Sequence, residues 1–142
     1  NAEIYKNKLS KIDKDFSLFL NTLEKRERYL VSCEGAFSYL VKDYGLEEAY
    51  LWPVNAESQI TPKRMAKVIS LVKNNQIPAV FCESTVSSES QLAVARETGA
   101  FFGGNLYVDS LSDKNGPASS YLKLLNHNLT LIKNAYTLNK KI

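Results

Sequence analysis

The chain is short of the residues that most often carry chemistry. Its 142 residues include one histidine, one methionine, one tryptophan and two cysteines. His127 is remote in sequence from every predicted strand end, and no Ser or Cys sits in a nucleophile-elbow pattern, so nothing supports nucleophilic catalysis. Neither C-x-x-C nor H-E-x-x-H occurs, which removes the familiar zinc spacings. The one glycine pair, Gly103-Gly104, precedes a strand instead of opening a helix, so no loop is built to cradle phosphate. Charge of one sign is scarce too. Eighteen basic side chains face fifteen acidic ones, a formal charge of +3, and no basic block is longer than Lys140-Lys141, so nucleic acid is not an expected partner. No apolar stretch approaches the ~20 residues needed to cross a bilayer. The chain opens at Asn1 inside helix-forming sequence, with no initiator Met and nothing resembling a signal peptide; it is expected to be a mature or truncated piece of a longer protein.

What is present is ordinary in bulk and patterned in detail. Hydrophobic residues make up 44% and charged residues 23%, usual for a globular protein, and the length suits one domain with one sizeable core. Residues 2–25 place Ile4, Tyr5, Leu9, Ile12, Phe16, Phe19, Leu20 and Leu23 at helical spacing, which predicts one long amphipathic helix. Strands are predicted at 28–33, 49–52, 79–82 and 101–108. Helices are predicted at 36–44, from Thr61-Pro62 to Asn75, at 87–97 and at about 118–137. Thr61 reads as an N-cap with Pro62 at the first helical position, and Gly45 and Gly99 stand where helices end. The loop 55–60 follows Pro53, which stops the second strand. Four alternations of strand and helix predict an α/β fold: a four-stranded, mainly parallel sheet flanked by helices, with the long N-terminal helix outside it.

Ligands of open α/β sheets bind beyond the carboxyl ends of the strands, and three of those ends carry an acid here. Cys33-Glu34-Gly35 follows the first strand, Cys82-Glu83-Ser84 the third, and Asp109-Ser110 the fourth. Glu34 is either a cap on the next helix, suited to its positive end, or a ligand. Asp109 is either the head of an Asx turn or a ligand. Several carboxylates on one rim repel unless a cation lies between them, and carboxylate oxygens suit hard divalent ions, manganese over copper. Glu83 reads as a partner behind the ligands or a cap in preference to a ligand itself. His127 falls off the apolar stripe of the last helix and reads as solvated. Cys33 and Cys82 are either buried thiols or a bridge. Their matched positions favour the bridge, because neighbouring strand ends lie ~5 Å apart, within disulfide reach. Such a bridge implies an oxidising compartment.

Four blocks in order, Val31-Ser32-Cys33-Glu34-Gly35-Ala36-Phe37, Leu51-Trp52-Pro53-Val54-Asn55-Ala56-Glu57, Phe81-Cys82-Glu83-Ser84-Thr85-Val86 and Leu106-Tyr107-Val108-Asp109-Ser110-Leu111, resemble the C-terminal half of the manganese/zinc solute-binding proteins of bacterial ABC transporters. The resemblance covers nearly the whole chain and is nearest the manganese-binding branch, in which the pair matching Cys33 and Cys82 forms a disulfide. It implies the second of two α/β lobes joined by a rigid helix, with residues 1–27 the end of that helix and its connection, and 28–142 the metal-binding lobe. It further implies no enzyme activity. The implied role is capture of Mn²⁺ or Zn²⁺ outside the cytoplasm, in the periplasm or its equivalent, and delivery to an ABC permease. Glu34 and Asp109 match the two ligands of this lobe; the other ligands, two histidines, belong to a first lobe that this sequence lacks. The lone lobe is therefore expected to bind metal weakly and to expose apolar surface that favours self-association. The competing reading is a doubly wound Mg²⁺-dependent phosphoryl-transfer or receiver-type domain, which needs an acidic pair at the first strand end, where only Glu34 stands.

Overall fold

The computed structural model describes residues 1–56 and 60–138; part of the loop 55–60, including Glu57, and Lys140-Lys141 lie outside the described residues. In chain order the elements are α1 (Ala2–Leu20), a 3₁₀ turn (Lys25–Glu27), β1 (Tyr29–Glu34), α2 (Ser38–Asp43), β2 (Glu47–Trp52), α3 (Pro62–Asn75), β3 (Ala79–Glu83), α4 (Glu89–Thr98), β4 (Phe101–Leu106) and α5 (Tyr121–Leu138). The fold is α/β with parallel strands between helices, as the alternation predicts. The strands form two hydrogen-bonded parallel pairs, β1 with β2 and β3 with β4. β1 and β3 lie side by side between those pairs, joined by a disulfide whose Cα atoms are 4.7 Å apart.

Alternation along the strands divides the interior into two layers. Leu30, Ala79 and Phe81 face one way, into a cluster with Phe16, Leu20, Phe37, Leu129, Ile132 and Tyr136 from α1, α5 and the start of α2. Val31, Cys33, Val80 and Cys82 face the other way, into a cluster with Val68, Val72 and Val94 from α3 and α4. β3 is buried along its whole length, as a central strand covered on both faces should be.

The ends of α1 and β4 differ from expectation. α1 stops at Leu20, not 25. Thr22 Oγ1 donates to the Phe19 carbonyl at 2.7 Å and Leu23 drops into the core from a non-helical turn, so Leu23 keeps the helical spacing without being in the helix. Only the second half of α1 packs: Phe16 and Leu20 are buried, whereas Ile4 and Tyr5 are exposed. β4 stops at Leu106, not Val108, because Asn128 of α5 takes over the pairing: its amide accepts from Tyr107 N–H at 2.9 Å and donates to the Tyr107 carbonyl at 2.7 Å. β4 also carries a bulge. Val80 pairs with Phe102 but Cys82 with Asn105, so Gly103 and Gly104 together stand opposite Phe81. A side chain at Gly103 would run into the Phe81 ring, and Gly104 has φ +108°. Thr61 caps α3 as expected, accepting from Arg64 N–H at 3.2 Å.

Candidate functional site

The carboxyl ends of all four strands lie together, in the order β2, β1, β3, β4: Glu34 pairs with Trp52 on one side, and Glu83 with Leu106 on the other. Glu34 is half-buried and held from several directions. One oxygen of its carboxylate accepts the N–H of Asn55, from the loop after β2. Asn55 turns toward it through a left-handed backbone, φ +59°, a conformation asparagine tolerates better than most residues. The Glu34 carbonyl accepts from Ser32 Oγ at 2.6 Å. Gly35 then donates to the Trp52 carbonyl at 3.0 Å. A glycine leaves room there, since an added Cβ would lie 2.9 Å from the Tyr50 ring and force it to shift. Trp52 is packing, 2% exposed.

Glu83 lies directly behind. It is 1% exposed, and its Oε2 accepts the Glu34 N–H at 3.0 Å. Its Oε1 has no partner among the described residues. Burial pushes its pKa from the ordinary 4.5 up to about 7, the Glu34 charge adds to the rise, and the Glu34 N–H opposes it. The Glu83 carboxyl thus holds the backbone of the neighbouring acid.

Asp109 differs. It is exposed, three residues beyond β4, and has no hydrogen-bond or ion-pair partner among the described residues, so no Asx turn forms there. Its approach is fixed by the Asn128 amide on Tyr107, and the loop after it is closed by Ala118 N–H on Ser112 Oγ at 2.9 Å. His127 is half-buried and not simply solvated: its ring lies edge-on to Tyr107, centroids 5.4 Å apart, and Nε2 is 3.3 Å from the Asn105 carbonyl. It is occupied in packing α5 on β4.

Among the described residues, the ligand-type side chains that converge in a group of three are Cys33, Cys82 and Glu83. The two sulfurs are bonded to each other and offer no thiolate. Neither Glu34 nor Asp109 belongs to that group; each offers carboxylate oxygens, a hard donor type suited to divalent ions such as Mn²⁺. A cavity of about 690 Å³ opens at the opposite end of the strands, lined by Lys25, Arg26, Arg28 and Glu47, and touches none of these acids. Two residues of the rim escaped the sequence reading. Asn55 could have been flagged as a turn former after Pro53. Gln91, wholly buried, could have been flagged as a polar residue on the apolar stripe of α4.

The family model of the periplasmic zinc-uptake complex component A, ZnuA, matches residues 1–135. The chain belongs to that family. Among relatives, the iron-binding protein YfeA of Yersinia pestis is 45% identical over 136 residues, 96% of this chain and 44% of that protein. The manganese ABC transporter substrate-binding lipoprotein PsaA of Streptococcus mitis is 29% identical over 132 residues, 93% of this chain and 43% of that protein. A manganese-bound periplasmic metal-binding protein from Candidatus Liberibacter asiaticus superposes with a TM-score of 0.85 at 37% identity, over 94% of this chain and 49% of that one. The chain thus spans about half the length of the ZnuA-family proteins it matches. The family is one of transport binding proteins, not enzymes, which removes the receiver-type alternative.

Proposed function

We propose that this chain is the C-terminal lobe of an extracytoplasmic metal-capture protein that takes up Mn²⁺ or Zn²⁺ and hands it to an ABC permease. Residues 1–27 are the end of the inter-lobe helix and its connection, and 28–142 the lobe that supplies Glu34 and Asp109. The observation that carries this is the contrast on the strand-end rim: Glu34 is oriented by Asn55 and Glu83, while Asp109 keeps an exposed carboxylate with no partner among the described residues. Two such groups hold a hard cation from one side and leave the other side for ligands from an upstream lobe. Relatives named for iron and manganese, and a periplasmic neighbour with manganese bound, support the ligand class and the compartment. The bare first half of α1, with Ile4 and Tyr5 exposed, supports a lobe that continues upstream; left alone, that surface favours self-association.

Calorimetry with Mn²⁺ and Zn²⁺ on this chain, and on the same chain joined to the upstream half that its relatives possess, tests the proposal. Tight binding is expected only in the longer protein. There Glu34→Ala and Asp109→Ala should each weaken it by about a hundredfold or more, since even partners behind the ligands are worth 10- to 100-fold. Unchanged affinity in both variants would sink the assignment.

A further inference from the structure

The seam between β1 and β3 has no ladder of its own, because the hydrogen-bonded pairs are β1–β2 and β3–β4. Yet Glu34 ends one side of that seam, and the strand pair leading to Asp109 begins on the other. On α4 the buried stripe consists of Val94, Ala95 and Gln91, and Gln91 is 0% exposed. Its Nε2 donates to the Phe81 carbonyl at 2.8 Å and to the Val31 carbonyl at 3.2 Å, one acceptor from each strand. Both neighbours are acceptors, so whatever stands between them must be a double donor. An amide meets that need without charge. Its own Oε1 is left with no partner among the described residues, a buried cost accepted to keep the NH₂ in place.

We propose that Gln91 is a positioning residue for the metal site: its amide spans β1 and β3 and so fixes where Glu34 stands relative to the half of the sheet that carries Asp109. This rests on Glu34 and Asp109 being the ligands. The disulfide sits on the same seam, two residues beyond Val31 and one beyond Phe81, but a single covalent link leaves the strands free to pivot about it. Gln91 adds the second point that stops the pivot.

The test is an NMR titration of the 142-residue chain with Mn²⁺ alone, read as paramagnetic broadening of backbone amides. In the parent, the amides of Glu34, Gly35 and Asn55 and those of Asp109 and Ser110 should broaden together, at one midpoint. Gln91→Met, similar in size but without a donor, should raise that midpoint about tenfold and speed hydrogen exchange at the Glu34 amide. Gln91→Glu, which keeps one donor and only when protonated, should fall between, and it serves if the methionine variant does not fold. Val72→Ala, a cavity in the α3 layer away from the seam, should lower stability and leave the midpoint alone. A midpoint that responds to Glu34→Ala and Asp109→Ala but not to either Gln91 variant overturns this inference only. A midpoint raised equally by Val72→Ala overturns it too, reducing Gln91 to general packing. Broadening indifferent to Glu34→Ala and Asp109→Ala overturns both this inference and the function it rests on.

Discussion

The two carboxylates of the proposed metal site, Glu34 and Asp109, are prepared in opposite ways. Glu34 is gripped through its carboxylate by Asn55, through its N–H by Glu83 and through its carbonyl by Ser32. Asp109 hangs from a loop, exposed and unpartnered among the described residues. A carboxylate oriented in advance costs little to recruit; a free one is ordered only when the ion arrives. Under the proposed function the rim therefore divides its work between a fixed ligand on the β1 side and an adjustable one on the β4 side.

That contrast breaks most severely at the disulfide. Replacing Cys33 and Cys82 with serine opens a loop of sequence separation 49, and the chain should lose about 4 kcal/mol of stability in urea unfolding. Hydrogen exchange should rise around Glu34 and stay level in the loop that carries Asp109. Uniform acceleration would mean that the two sides are not independent.

A smaller effect comes from pH. In the unfolded chain Glu83 loses its proton near 4.5; in the folded metal-free chain it keeps it to about 7. Below 4.5 both states are protonated and the group has no effect. Between 4.5 and 7 the folded state holds the extra proton, so stability falls as pH rises, by about 3 kcal/mol in all, and is level above 7. Glu83→Gln should remove that part of the slope, measured as urea midpoints from pH 4 to 8. An unchanged slope would show that Glu83 ionises freely and holds the Glu34 N–H by charge alone.

The smallest effect sharpens the fixed side. Gly35→Ala pushes a methyl against Tyr50, which already carries Arg64 over its ring at 5.5 Å. Moving that ring should cost about 1–3 kcal/mol in thermal unfolding. It should also perturb the Glu34 amide shift and leave that of Asp109 in place.

Much of this was readable in the chain beforehand. Alternation of strand and helix gives the layers, Thr61-Pro62 gives the start of α3, and the matched Cys-Glu pairs give two neighbouring strand ends and the bond between them. What was not readable depends on distances across the fold. Leu23 keeps helical spacing after the helix has ended, so periodicity overran the end of α1 by five residues. The end of β4 is set by Asn128, twenty-one residues beyond the Tyr107 it holds. The part played by Gln91 depends on two carbonyls 50 residues apart in sequence, and no local pattern announces them. Glu34 could have been a cap or a ligand, and its grip comes from Asn55, which a local reading treats as one more turn residue.

The Gly103-Gly104 bulge has a consequence for how the chain tolerates change in length. Two residues opposite one shift the phase of everything after them, so Leu106 points inward and is fully covered. Were the bulge ironed out with both glycines kept, Asn105 would take the inward place and Leu106 would turn to solvent; with either glycine deleted, a regular ladder still sets Asn105 opposite Cys82 and Leu106 opposite Glu83, and the facing survives. A residue lost at the bulge is thus absorbed there, whereas one lost or gained between Asn105 and Asp109 has no slack to absorb it and would shift the proposed Asp109 ligand by one place on the rim.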